Sequence, residues 1–218
     1  MDKNQKYVIT INRELGSGGR TIGRKLAEKL NVPFYDKALI NELKQKFNLD
    51  TEEIEKLKGS KHQWWRDFIN TAMYMGQGMN EVWYYQRMFG QDFHMVTSSE
   101  MYEVEKEILE NVAEEDSCVI AGRTACYIFR ENPNHLSILI QASMPCRMAR
   151  VAREQNMSKE EARLTIEKVD KMRENYVQEF TGTSRYDTRN YQLVLNMDEI
   201  NEDAAVDLIL AYIRSMAA

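Results

Sequence analysis

Residues 8–30, VITINRELGSGGRTIGRKLAEKL, constrain the fold more than any other stretch of this chain. They open on the β-branched residues Val8, Ile9, Thr10 and Ile11, which predict one short strand. The glycine cluster Gly16-Ser17-Gly18-Gly19 follows, and then an amphipathic helix whose apolar side is Ile22, Leu26, Ala27 and Leu30. A strand, a glycine turn and a helix in that order make a seat for an anion. Glycines let backbone N–H groups converge on one point, and the helix N-terminus adds partial positive charge. The phosphate-loop pattern GxxxxGK[ST] falls on residues 14–21, with Glu14 at its first glycine, Arg20 at its lysine and Thr21 at its magnesium-binding hydroxyl. Arginine keeps the charge and can fork onto two phosphate oxygens, although it is less compact than an ammonium. A carboxylate at Glu14 repels phosphate unless it pairs with Arg13 or points outward. On the motif alone, a phosphate seat and a tightly packed strand-to-helix turn stand side by side.

The rest of the chain bears on that choice. With 218 residues and 43% hydrophobic content, it can bury a full core as one domain with a helical insertion. A net charge of −5 argues against general nucleic-acid binding. The N-terminal MDKNQK is polar and no signal-peptide or membrane-spanning run follows it, so no membrane role and a cytoplasmic location are expected. Cys118, Cys126 and Cys146 lack zinc or redox spacing and read as buried, inert thiols. His62, His94 and His135 are scattered and read as structural or surface residues.

Residues 31–36 predict a second strand ending in Asp36, which doubles as a helix N-cap and as an acid at a strand's carboxyl end, where ligands of α/β sheets collect. Leu39, Ile40, Leu43 and Phe47 then share a helix face, and Asp50 with Glu53 spells a capping box. Residues 61–95 are rich in aromatics and methionine, split by Gly76-Gln77-Gly78 into two helices. Their stripe, Trp64, Phe68 and Ala72 with Trp65, Ile69 and Met73, reads first as packing against the sheet or a second subunit, with a base-stacking pocket as the alternative. A homodimer is therefore the expected assembly. A helix over 100–113 and a continuous apolar strand over 117–121 lead into Gly122-Arg123. Arg123 at that strand end suits bidentate phosphate binding. A strand over 136–142 precedes a helix with Pro145 in its first turn and Arg147, Arg150 and Arg153 along it. Ser158 with Glu161 caps a long helix reaching about residue 176, where Asp170 and Arg173 share a face. Arg185 and Arg189 follow the loop Thr181-Gly182-Thr183-Ser184, so residues 147–190 read as an arginine-rich lid. A last strand over 191–196 and a helix over 201–216 complete the chain.

In order and spacing, RELGSGGRTIGRKLAEKL, VPFYDKALI, CVIAGRTACYIF, LSILIQASMPCRMARV, IEKVDKMRENYVQEFTG and NYQLVLNM resemble the cytidylate kinase-like family, within the nucleoside monophosphate kinase group of phosphate-loop NTPases. The resemblance spans nearly the whole chain apart from the aromatic segment. It implies a three-layer α/β fold with a five-stranded parallel sheet ordered 2-3-1-4-5. It also implies transfer of a phosphoryl group from ATP or another nucleoside triphosphate, with Mg²⁺, to a small nucleotide acceptor. Position by position, Gly16, Ser17, Gly18, Gly19, Arg20 and Thr21 fall on the triphosphate loop. Asp36 and Arg123 fall where the family meets its acceptor, and Asp170 and Arg173 on the Asp-x-x-Arg of the closing region. The chain departs from cytidylate kinases proper in having Ala121 where they carry an aspartate, and Thr124, Ala125 and Cys126 where an acid follows the arginine.

The resulting expectation assigns the amides of residues 17–21 and Arg20 to the β- and γ-phosphates, and Thr21 to Mg²⁺ with Asp36 or Asp170 through water. Arg123 holds the acceptor, and Arg173 with Arg150 or Arg153 closes on the transferring group. Two alternatives stay open: a nucleotide-binding regulatory protein that uses the aromatic segment to dock a partner, and a structural domain with a vestigial loop.

Overall fold

The structure is a computed structural model, and it describes residues 5–36, 99–122 and 124–216. The aromatic segment 61–95, the helix and capping box expected after Asp36, and Arg123 lie outside the described residues.

Five strands form one sheet ordered β2-β3-β1-β4-β5, every neighbouring pair parallel: β1 Val8–Arg13, β2 Phe34–Asp36, β3 Cys118–Ala121, β4 His135–Gln141 and β5 Leu193–Asn196. This is the order that the resemblance implies. β1 lies at the centre, buried at every one of its positions, with Val8, Ile9 and Ile11 as its apolar residues. The register pairs Ile9 with Leu136, Ile11 with Ile138 and Arg13 with Ile140, so β1 and β4 end level and the chain leaves β1 directly beside the end of β4.

α1 (Gly19–Leu30) lies on one face of this sheet. Ile22, Leu26 and Ala27 on its inner side join Ile9, Ile11, Val119, Leu136, Ile138 and Ile140 in one core cluster. The closing helix α6 (Glu202–Met216) packs beside α1 and adds Val206, Ile209 and Ile213 to the same cluster. Because side chains alternate along a strand, Thr10, Asn12 and Leu139 face the other way. There Asn12 and Leu139 meet Cys126 of the short helix α3 (Ala125–Ile128) and Tyr191, just before β5, while Thr10 meets His135. α2 (Ser99–Glu115) packs against α3 and buries Ile108, Leu109 and Val112. Cys118, Cys126 and Cys146 are all free thiols, the first two buried.

The segment expected as a lid has its own packed interior. α4 (Met144–Gln155) starts at Ser143, whose hydroxyl accepts from the Cys146 amide, with Pro145 in the first turn. α5 (Lys159–Thr181) starts at a complete Ser158–Glu161 capping box and ends at Gly182 in the left-handed conformation, five residues beyond the end read from sequence. α4 and α5 pack on one another. Val151, Ala162, Ile166 and Val169 close around Leu15 of the glycine turn. Both helices are thereby fixed to the turn by apolar contact, a link that charge pattern alone does not convey.

Candidate active site

The turn after β1 is shaped by close approach on two sides. Gly16 and Gly18 have φ near +82° and +83°, a region open to glycine and costly for residues with a Cβ. A Cβ at Gly16 would stand 2.8 Å from the Arg147 carbonyl oxygen of α4, and one at Gly19 would stand 2.5 Å from Cβ of Arg13. Ser17 is buried and turned inward, its amide and its hydroxyl both donating to the Glu14 carbonyl, at 3.2 and 2.9 Å. Gly18 caps α1 without a side-chain hydrogen bond, and the first backbone bond of the helix runs from the Ile22 amide to the Gly18 carbonyl. The amides of Gly19 and Thr21 therefore precede the first intrahelical bond, which gives the helix start its capacity for an anion. Ser17, assigned with them from sequence, spends its amide on the turn itself. Thr21 is half-buried in the first helical turn.

Guanidinium groups surround this turn. Arg150 of α4 lies over Gly18, its Nη1 3.0 Å from where a Cβ would be, and it is held by Glu202 of α6 at 2.5 Å. Arg147, one turn earlier and buried, donates from Nη1 to Asp170 Oδ2 at 2.5 Å, and its Nε lies 3.7 Å from Glu14 Oε2. The other oxygen of Asp170 accepts from the Leu15 amide at 3.0 Å and lies 3.6 Å from both Arg173 and Arg185. Arg173 also donates to the Arg13 carbonyl at 3.2 Å, as does Arg185 Nη2. The described part of this cluster sets the guanidinium groups of Arg147, Arg173 and Arg185 against the carboxylates of Asp170 and Glu14.

Glu14, at the first glycine of the phosphate-loop pattern, is engaged by partners from the end of β4 and from α4. Its Oε2 accepts from the Ala142 amide at 3.1 Å and faces Arg147 rather than Arg13. It bridges the ends of β1 and β4. Arg20 and Asp36 are brought together, Nε to Oδ2 at 2.5 Å, with Asp36 buried at the end of β2. Arg153, assigned with Arg150, is exposed on the last turn of α4. Arg123 lies outside the described residues.

Arg147, described above, and also Arg185 and Arg13 carry no role assigned from the sequence and are central in the structure. Arg185 is 2% exposed, and its backbone carbonyl accepts from the Tyr191 hydroxyl at 2.7 Å, itself bonded to Asn12 of β1 at 2.5 Å. Arg13 lies buried at the end of β1, its guanidinium over Gly122: a Cβ there would fall 2.1 Å from Nη1. Gly122, at φ +81°, makes room for it. The signal available in sequence was Gly-Arg after β3, and it identified the glycine's neighbour rather than its occupant.

Magnesium can be tested against these donors. Among the described residues no group of three His, Cys, Asp or Glu side chains converges, and Asp36 and Asp170 are both engaged by guanidinium groups. The donors present fit an ion that arrives on phosphate oxygens and adds the Thr21 hydroxyl, the way Mg²⁺ commonly binds.

A strand-end glycine turn opening a helix, ringed by arginines from the segment after β4, can be compared with known proteins. The model of the cytidylate kinase-like family matches residues 8–199. The chain belongs to the cytidylate kinase-like family. A cytidylate kinase of Saccharolobus islandicus (strain L.S.2.15 / Lassen #1) is 25% identical over 211 residues, covering 96% of this chain and 92% of the relative. Among solved structures, an uncharacterized protein from Eubacterium ventriosum ATCC 27560 superimposes with a TM-score of 0.68 at 24% identity, over 96% of this chain and 99% of the other. Shikimate kinase from Bacteroides thetaiotaomicron superimposes with a TM-score of 0.52 at 16% identity, over 95% and 98% of the two chains, a likeness of fold. The cytidylate kinase-like chain thus has the phosphate-loop kinase fold, with arginine where that loop has lysine.

Proposed function

We propose that this cytidylate kinase-like protein is a phosphotransferase that moves the γ-phosphate of ATP, or another nucleoside triphosphate, to a nucleoside monophosphate or similar small acceptor. One observation carries the reading. Arg147, Arg173 and Arg185, from α4, α5 and the loop after it, converge on Asp170, whose carboxylate also accepts from the Leu15 amide of the glycine turn that opens α1.

Phosphoryl transfer passes through a loose transition state with charge spread over the transferring oxygens, so alignment and charge neutralisation are what the protein has to supply. The amides of Gly19 and Thr21 receive the β- and γ-phosphate oxygens, with Arg20 beside them. Arg150, across Gly18, covers the same phosphates from the α4 side. Arg173 and Arg185 neutralise the group in transit, and Asp170 holds them in place before substrate arrives. Asp36 and Arg123 belong to the acceptor side. Thr21 would help hold Mg²⁺ arriving with the triphosphate, and the ion would supply neutralisation of phosphate charge. The acceptor oxygen forms the new bond to phosphorus as the bond from phosphorus to the β–γ bridging oxygen breaks.

The test is incubation of the full chain with γ-labelled ATP, Mg²⁺ and a panel of nucleosides, nucleoside monophosphates and small alcohols, alongside Arg173→Ala. Transfer to a member of the panel is expected, and Arg173→Ala should lose about a hundredfold in turnover, corresponding to about 3 kcal/mol of barrier. Tight ATP binding without transfer to any acceptor would support the regulatory alternative. No binding would leave a structural role.

A further inference from the structure

A cleft of about 420 Å³ opens on the side of the sheet turned away from α1. Leu136, Ile138 and Ile140 face α1, so the intervening Ser137 and the preceding His135 face the cleft. Ser137 is level with Thr10, three residues short of Arg13, which sets it about 10 Å along the strands from the glycine turn. The cleft is thus separate from the candidate active site.

Its chemistry is polar. Tyr127, Ser137, Thr181 and Thr183 bring hydroxyl groups, Arg130 and Arg189 bring guanidinium groups at the rim, and no Asp or Glu is among the described lining residues. Ser137 is 1% exposed and its hydroxyl has no hydrogen-bond partner among the described residues. A buried hydroxyl without a partner is costly, and a ligand at that point would satisfy it. His135 contributes no charge: its Nε2 pairs with the Thr10 hydroxyl at 2.7 Å, the ring also bonds the Phe129 backbone, and burial lowers its pKa to about 4. Arg130 and Arg189 pair with Glu131 and Asp187 at 3.2 and 2.7 Å, both in exposed contacts of the kind that exchange readily for another anion.

The wall of the cleft is also a brace. The Tyr127 hydroxyl donates to the Ser184 carbonyl at 3.1 Å and accepts from Asn190 at 2.9 Å, gripping both ends of the segment that carries Arg185. We propose that this cleft is a second small-molecule site, which takes a hydroxylated anion of about the size of a pentose phosphate and stiffens the Arg185 segment when filled. The same chemistry is offered by a free sugar phosphate and by the ribose phosphate of a nucleotide.

Calorimetric titration of the full chain with ribose 5-phosphate tests this, using Ser137→Val to remove the buried hydroxyl and Arg189→Ala, an exposed change, should the first variant fail to fold. Binding that weakens about tenfold in each folded variant is expected, with ATP affinity unchanged. Backbone amides of residues 184–191 should exchange more slowly with ribose 5-phosphate present. In parallel, AMP binding that weakens in the same variants identifies a nucleotide as a source, whereas AMP binding that ignores both variants identifies a free sugar phosphate. Absence of ribose 5-phosphate binding, or binding insensitive to both variants, overturns the proposal.

Discussion

Asp170→Asn is the sharpest test of how the site is held together. Asp170 and Arg147 are each 7% exposed, and their 2.5 Å contact is reinforced by the Leu15 amide on the second carboxylate oxygen. Removing one partner of a buried pair strands the other charge and costs about 3–5 kcal/mol. The asparagine oxygen can still accept from Leu15, and Glu14 remains 3.7 Å from Arg147, so the lower end, about 3 kcal/mol, is expected. For a chain of 218 residues that corresponds to a loss of about 6–12 °C in Tm. Urea unfolding of the wild type, Asp170→Asn, Arg147→Met and the double variant would measure it, provided the m-values agree. The double variant should recover at least about 2 kcal/mol relative to the sum of the two single losses, because no stranded charge remains between these partners. Additive losses, or an Asp170→Asn variant within about 1 kcal/mol of the wild type, would refute the view of Asp170 as the hub.

Three further outcomes follow from the geometry. Gly16→Ala should lose at least about 2 kcal/mol in thermal or urea unfolding, because its φ of +82° strains an L-residue and its Cβ would press on the Arg147 carbonyl at 2.8 Å. Arg150→Ala should weaken ATP binding about tenfold in a fluorescence titration, since its guanidinium stands over Gly18 where the triphosphate is proposed to lie. His135 ties stability to pH. Its folded pKa of about 4 lies below its ordinary value of 6.5, so the unfolded chain takes up the proton first, and this contribution is complete above pH 6.5 and lost as pH falls toward 4. The loss amounts to about 3 kcal/mol across that window, and His135→Asn should flatten the corresponding slope in denaturation measured from pH 7 to pH 4.

Sequence carried the architecture well, because the features that specify it are local. Largely apolar runs over 117–121 and 136–142 pointed to a doubly covered parallel sheet, whose strands β3 and β4 span Cys118–Ala121 and His135–Gln141, and the Ser158–Glu161 box placed the start of α5 correctly. The glycine cluster marked the turn, and the structure places Gly16 and Gly18 in left-handed backbone there. The site was legible only where its residues are contiguous or on one helix face, as with Asp170 and Arg173. Arg185 and Arg147 read only as members of an arginine-rich lid, because only the fold discloses that both reach the carboxylate of Asp170 and that Arg185 also reaches the carbonyl of Arg13. Glu14 was misleading for the same reason: its partners, the Ala142 amide and Arg147, sit more than a hundred residues away and meet it only because β4 ends beside β1. His135 became a core residue through a neighbour on another strand, Thr10, that periodicity cannot link to it.

The carboxylate of Asp170 has a consequence for selectivity. It is a resident anion, tethered to the chain and already seated among the side chains of Arg147, Arg173 and Arg185. A chloride or acetate that drifts in brings no more charge than is there and gains little by arriving. A visitor carrying several negative charges can share those guanidinium groups without evicting their keeper. On the proposed function, the pocket therefore discriminates by valence before it discriminates by shape.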